Sequence, residues 1–111
     1  MSELSKKKCI PCEGGMEPMS AKDAQAMMPE LEPDWMLIDD AHLLVREFEF
    51  KDFKEALAFA NKVGEIAEEE QHHPDLSVAW GRVSVELTTH AIGGLSENDF
   101  IVAAKIDELA H

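Results

Sequence analysis

Two stretches of alternating apolar and polar residues in the first half of the chain predict a pair of β-strands. Residues 35–38 and 43–50 are rich in Leu, Val and aromatic residues, and a short polar segment separates them. Such runs around a turn are typical of a β-hairpin. Leu44 and Phe48 share one parity, so we expect them to face the core, with Arg46 as an exception between them.

The pattern changes to a helical period after Asp52, a typical N-cap residue. Two apolar stripes follow: Phe53, Leu57 and Ala60 on one side, and Phe59, Val63 and Ile66 on the other. One sheet face can bury only one stripe, so the remaining stripe predicts a contact between subunits. We expect the stripe that contains Val63 to face outward.

The remaining segments complete the order of elements. Ser20 is a suitable N-cap for a short helix over residues 21–28. Two more alternating strands flank Gly81, and the pair Ser96 and Asp99 resembles a capping box at the start of the last helix. The order α-β-β-α-β-β-α predicts an α+β fold with an antiparallel sheet and helices packed on one face.

An acidic, histidine-rich segment joins the long helix to the third strand. Three of the five histidines fall within the 19 positions from His72 to His90. Imidazole, with an ordinary pKa of about 6.5, can give or take a proton near neutral pH. Pro74 disfavours helical geometry at His73, so we expect a helix-to-loop junction where His72 and His73 flank one small ligand. Strand parity places His90 on the polar face, which indicates a site.

Composition and charge narrow the possible functions. A chain of 111 residues with 45% hydrophobic residues is expected to form one globular domain. A formal net charge of −13 argues against direct binding to nucleic acids or anionic membranes. The chain has neither an apolar run long enough to span a membrane nor the pattern of a signal peptide, so we expect a cytoplasmic location.

Residues 1–19 lack a periodic apolar pattern, and we expect a flexible N-terminal extension before a single domain over residues 20–111. Cys9 and Cys12 form a CxxC pair there. A reducing compartment makes a disulfide between them unexpected. CxxC is half of a zinc site, so both an exposed thiol pair and zinc shared with distant ligands stay open.

The spacing of the histidines resembles that of pterin-4a-carbinolamine dehydratases. In order, the matching positions are Glu68, His72-His73-Pro74, Trp80, His90 and Asp99. The segments FKDFKEALAF and GGLSENDF are also similar to that family. The resemblance covers residues 35–110 and excludes the N-terminal extension.

The resemblance implies a four-stranded antiparallel sheet and an enzyme that acts on a pterin carbinolamine. The reaction converts 4a-hydroxytetrahydropterin to quinonoid dihydropterin plus water, in tetrahydrobiopterin recycling after aromatic amino acid hydroxylation. No metal or cofactor is implied, and relatives form homodimers or homotetramers.

Specific site residues follow from the resemblance and the chemistry. We expect His72 and His90 to transfer protons, and His73 to bind and orient the pterin. Gln71, Thr88 and Thr89 flank the histidines and are expected to hydrogen-bond the pterin. Trp80 is expected to pack and Asp99 to cap a helix. Which histidine is the acid and which the base stays open.

Two other functions compete with the dehydratase. Three clustered histidines could bind zinc, but the adjacent pair His72 and His73 diverges, and the resemblance implies no metal. The alternative of a non-catalytic interaction module rests on animal relatives, which serve as dimerisation cofactors for a homeodomain transcription factor. The metal content of the purified protein distinguishes a zinc site from the dehydratase, and a dehydratase assay distinguishes the interaction module from it.

Overall fold

The computed structural model describes residues 3–9 and 17–110. Its helices and strands are α1 (Ala21–Met27), β1 (Met36–Ile38), β2 (Leu43–Glu49), α2 (Phe53–Glu70), β3 (Asp75–Ala79), β4 (Arg82–Leu87) and α3 (Glu97–Leu109). Short 3₁₀ helices form at Glu3–Lys6, Met28–Glu30 and His90–Ile92. The predicted α+β class and element order are confirmed.

The four strands form one antiparallel sheet in the order β1-β2-β4-β3. The two central strands, β2 and β4, bury Leu44, Phe48, Val83 and Val85 on one face. Helices α2 and α3 pack over that face, and most of α3 is buried. The core therefore lies between the helices and the central strands, and the ends of α2 and β4 come together at one edge of it.

Helix α2 begins after Asp52 as predicted, and it ends at Glu70, three residues before His73. The Asp52 side chain accepts a hydrogen bond of 2.9 Å from the backbone N–H of Glu55. At the other end, Gln71 has a left-handed backbone with φ of 54°, and the His72 N–H donates to the Ala67 carbonyl at 3.2 Å. This cap at Gln71, and not Pro74, terminates the helix.

The expectation that the Val63 stripe faces outward is wrong. Val63 is 0% exposed, and the Phe59 ring lies 4.7 Å from that of Phe48, centroid to centroid. Phe53 and Leu57, at 45% and 44% exposed, form the outward stripe instead. Both stripes are apolar, so only the packed neighbours decide which one is buried.

Arg46 faces the core side of the sheet, where the sequence pattern gave no reason for a charge. Its Nη1 donates to Asp107 in α3 at 2.6 Å, and its guanidinium lies 4.2 Å from the centroid of the Phe48 ring. Asp107 also accepts a 2.6 Å hydrogen bond from Nε1 of buried Trp35. The buried charge is therefore paired and joins the sheet to α3.

Residues 3–9, which we call the N-terminal arm, pack against α3. Leu4 is buried in the core, and the Lys105 ammonium of α3 donates to the Ser5 carbonyl at 2.8 Å. Residues 10–16, with Cys12, lie outside the described residues. The division of the chain into an extension up to residue 19 and a domain from residue 20 stays a prediction.

Across residues 3–9 and 17–110, none of the helices combines the length and apolar character of a membrane span.

Candidate active site

All six predicted site residues line a single cleft of about 630 Å³. They are Gln71, His72, His73, Thr88, Thr89 and His90. The cleft lies where the C-terminal end of α2, the segment after β4 and the N-terminal arm meet. A larger cavity of about 860 Å³, beside Arg46 and Phe48, contains none of these residues. The chemistry of the lining, rather than volume, therefore identifies the candidate site.

His72 is held by a buried carboxylate on α3. Its Nε2 lies 2.6 Å from Oδ1 of Asp99, whose side chain is 0% exposed. The other Asp99 oxygen accepts from the Thr89 hydroxyl at 2.8 Å and from the Ser96 N–H at 2.9 Å. The predicted capping box is confirmed. Asp99 thus caps α3, as expected, and also orients the His72 ring. The sequence pattern contains Asp99 but did not predict this second role.

This geometry assigns the two ring nitrogens of His72 to different tasks. While Nε2 is bonded to Asp99, a proton exchanged with a ligand has to pass through Nδ1. A neutral imidazole has one N–H and one bare nitrogen, and the hydrogen bond made by one nitrogen selects the tautomer. With a carboxylate as partner, Nε2 carries the proton, so Nδ1 is the acceptor in neutral His72.

His73 is exposed, and its ring contacts a different carboxylate from the one that holds His72, as expected for adjacent side chains that point in different directions. Its Nε2 lies 2.6 Å from Oε2 of Glu68, on the last turn of α2. Carboxylates at the C-terminal end of a helix are electrostatically unfavourable because they oppose the helix dipole. Here one of them, Glu68, orients a histidine of the candidate site.

His90 reaches the cleft by a route that strand parity did not predict. Strand β4 ends at Leu87, and His90 begins the 3₁₀ helix His90–Ile92, with an exposed ring. The preceding residue, Thr89, is anchored by its N–H to the Gly94 carbonyl at 2.8 Å and by its hydroxyl to Asp99. The same carboxylate therefore contacts His72 directly and anchors the residue that precedes His90.

The three flanking polar residues already hydrogen-bond within the protein. Gln71 Nε2 donates to the Glu68 carbonyl at 2.6 Å, and the Thr88 hydroxyl donates to the His42 carbonyl at 2.8 Å. The Thr89 hydroxyl donates to Asp99. A hydroxyl has a single hydrogen, so in this conformation Thr88 and Thr89 can only accept from a ligand. Their binding of pterin stays a prediction.

The expectation that Trp80 packs is wrong for the single chain. Its side chain lies in the turn between β3 and β4 and is 74% exposed. The alternation of Leu76, Val78 and Trp80 ends with the strand at Ala79, and the turn carries the indole away from the core.

Glu70 is a buried carboxylate at the edge of the cleft. Its Oε1 accepts from the Cys9 N–H at 2.8 Å, and its Oε2 lies 3.7 Å from the Lys105 ammonium. Burial acts to raise the pKa of Glu70. The hydrogen bond from Cys9 and the charges of Lys105 and Lys8 outweigh it, so the pKa lies below its ordinary value.

The Cys9 thiol is half-buried beside Glu70, so the expectation of an exposed thiol is wrong for Cys9. Burial, followed by the charge and hydrogen bond of Glu70, raises its pKa to about 12. The thiolate is the reactive and metal-binding form of cysteine, so Cys9 is unreactive near neutral pH.

We expect slow alkylation of Cys9 for that reason. In a Cys12→Ser variant at pH 8, iodoacetamide should modify Cys9 at least about 100-fold more slowly than the same protein unfolded in urea, since the thiolate fraction limits the rate. Mass spectrometry over time measures both rates. Comparable rates in the folded and unfolded protein would contradict the assigned environment of Cys9.

Within residues 3–9 and 17–110, no three His, Cys, Asp or Glu side chains are grouped so that they could hold a metal ion. Cys12 lies outside that set. That the reaction needs no metal stays a prediction, to be tested by activity after treatment with a chelator.

The structure is an α+β domain with a histidine-lined cleft. The sequence matches the family described as Pterin 4 alpha carbinolamine dehydratase over residues 17–109. A chain from Rubrobacter xylanophilus, provisionally named pterin-4-alpha-carbinolamine dehydratase, is 48% identical over 98% of this chain and 100% of its own length. A chain of the same provisional name from Methylococcus capsulatus is 52% identical over 96% of this chain and 93% of its own. The protein belongs to this family.

Solved structures agree with the fold. A transcriptional coactivator/pterin dehydratase from Brucella melitensis superposes with a TM-score of 0.79, at 30% identity over 86% of this chain and all of its own. A pterin dehydratase-like RuBisCO assembly factor of the alpha-carboxysome superposes with a TM-score of 0.60 over 69% of this chain and 89% of its own. Its identity of 23% supports a common fold alone.

Proposed function

We propose that this protein is a 4a-hydroxytetrahydrobiopterin dehydratase that works by histidine general acid–base catalysis. The observation that carries the proposal is the convergence of His72, His73 and His90 on one cleft. Membership of the family supports the pterin carbinolamine as substrate. The reaction would serve the recycling of tetrahydrobiopterin after aromatic amino acid hydroxylation, and the cytoplasmic location stays a prediction.

The reaction requires two coordinated proton transfers. The C4a–O bond breaks, and a general acid protonates the departing oxygen so that water leaves. A base accepts the N5 proton, and the electrons of the N5–H bond form the C4a=N5 double bond of the quinonoid product. Two imidazoles in opposite protonation states can do both, and solvent restores them after each turnover. Neutral His72 accepts through Nδ1, which suits it to the base role.

The decisive experiment is a stopped-flow measurement of carbinolamine dehydration with and without the protein. The carbinolamine is generated in situ by an aromatic amino acid hydroxylase, and formation of the quinonoid product is followed by absorbance. A first-order rate constant that rises in proportion to protein concentration supports the proposal. A rate equal to the uncatalysed rate would reject it.

A non-catalytic interaction module is the second candidate function. The similar structure from Brucella melitensis bears the words transcriptional coactivator in its description, at 30% identity. The exposed Trp80 and Met36 are side chains that a binding partner could cover. A folded protein without dehydratase activity would favour this second function.

We further propose that the protein forms a homodimer or homotetramer through the outward stripe of α2, defined by Phe53 and Leu57. Leu57→Glu should shift the assembly toward the single-chain mass of 12.4 kDa, because it places a charge in an apolar contact. Light scattering at low micromolar concentration measures the mass. Ala58→Glu adds the same charge at an exposed position about 100° around the helix and should leave the mass unchanged.

A second variant separates the interface from the core. Val63→Glu buries a charge and should unfold the subunit, whereas Leu57→Glu should leave a folded subunit with cooperative thermal unfolding. A wild-type mass near that of one chain would reject the oligomer.

A further inference from the structure

The N-terminal arm brings two residues to the candidate active site. Lys8 and Cys9 line the cleft together with the three histidines. The family match begins at residue 17, so the arm lies outside the segment that the family comparison covers. The arm is nevertheless part of the wall of the site in this chain.

The position of Lys8 is set by anchors on both sides of it. On one side, the Ser5 carbonyl accepts from Lys105, and the Ser5 hydroxyl donates to Glu108. On the other side, the Cys9 N–H donates to the buried Glu70 carboxylate at 2.8 Å. Since the backbone is held at residues 5 and 9, the segment between them cannot move far from the cleft.

The chemistry of the lining indicates what Lys8 can contribute. It is the one Lys or Arg among the described residues that line the cleft, where Glu69 and Glu70 supply negative charge. The hydroxyl hydrogens of Thr88 and Thr89 are already donated to protein acceptors. An ammonium has three donors and no acceptor, so Lys8 can interact with Glu70 and still donate to an oxygen of a ligand.

We propose that Lys8 is a substrate-binding residue that donates a hydrogen bond to an oxygen of the reduced pterin, and that the arm holds it there. This inference rests on the proposed dehydratase function. Apart from the departing 4a-oxygen, which takes its proton from the general acid, the carbinolamine offers two classes of oxygen acceptor: the ring carbonyl and the oxygens of the side chain. A contact to either strengthens substrate binding without taking part in proton transfer.

The test compares neighbouring lysines. Lys8→Met should raise KM about 5- to 10-fold with little change in kcat, as expected for loss of one partly exposed charge-assisted hydrogen bond. Lys8→Arg should restore most of the affinity. Lys7→Met is the matched control, because Lys7 pairs with exposed Glu97 at 3.2 Å and does not line the cleft. Its KM should equal that of the wild type.

Two substrates identify the oxygen. If Lys8 binds the side chain, the KM increase should vanish with a 6-methyl pterin carbinolamine; if it binds the ring carbonyl, the increase should persist.

Titration calorimetry with 7,8-dihydrobiopterin measures binding independently of turnover, and Lys8→Met should weaken it by the same factor. If the wild type is active and Lys8→Met has the same KM and the same affinity for dihydrobiopterin, this inference is wrong and the proposed function stands. A wild type that neither dehydrates nor binds pterin would overturn both this inference and the proposed function.

Discussion

Replacing His72 or His90 with alanine should lower kcat by about 10²–10⁴-fold, the usual contribution of one general acid or base. Each variant removes a ring that lines the cleft and that can pass a proton to or from the carbinolamine. His73→Ala should mainly raise KM, because His73 is expected to bind and orient the pterin rather than to transfer protons. Stopped-flow kinetics at saturating and limiting substrate separate the two effects.

His42 supplies the control for these variants. It is an exposed histidine in the turn between β1 and β2 and does not line the cleft, so His42→Ala should leave kcat and KM unchanged. The backbone carbonyl of residue 42, which accepts from Thr88, is retained in that variant. Full activity in a His72→Ala, His90→Ala double variant would refute the acid–base assignment.

Asp99→Asn should lower kcat about 10- to 100-fold while KM stays near the wild-type value. The carboxylate serves three donors: His72 Nε2, the Thr89 hydroxyl and the Ser96 N–H. An amide of the same size has a single acceptor oxygen and no charge. With that oxygen facing Thr89 and Ser96, its NH₂ group faces His72 Nε2 and favours the tautomer that carries the proton on Nδ1. A hydrogen bond to a charged group is worth about 1.5–3 kcal/mol, and about 1.4 kcal/mol in the barrier corresponds to tenfold in rate.

A second variant separates the two roles of Asp99. Ser96→Ala removes the capping hydroxyl at the start of α3 and should cost about 1 kcal/mol of stability, while leaving kcat within a few-fold of the wild type. Thermal unfolding measured beside kcat distinguishes loss of the cap from loss of the histidine partner. If Asp99→Asn is as active as Ser96→Ala at equal stability, Asp99 is a cap alone.

Local patterns in the sequence correctly predicted the elements, and the family resemblance supplied the candidate site residues. Periodicity gave four strands and the main helices, and the caps at Ser20, Asp52 and Ser96 lie where the residue types indicate. The six candidate site residues lie in two short segments that converge on one cleft. The elements and caps depend on groups that are a few residues apart, so the local sequence is enough to predict them.

Other features depend on residues that are distant in the sequence, and only the tertiary structure decided them. His72 and Asp99 are 27 positions apart, and the Cys9 N–H reaches a carboxylate 61 positions away. The choice between the two stripes of α2 belongs to this group as well. Both stripes are apolar, and what selects one is the packed surface beneath the helix, where Phe59 contacts Phe48 of β2 and Val63 is fully buried. The sequence by itself determined the elements and the positions of the histidines. Packing determined which carboxylate holds His72 and which lysine lines the cleft, because contacts between distant segments form only when the layers assemble.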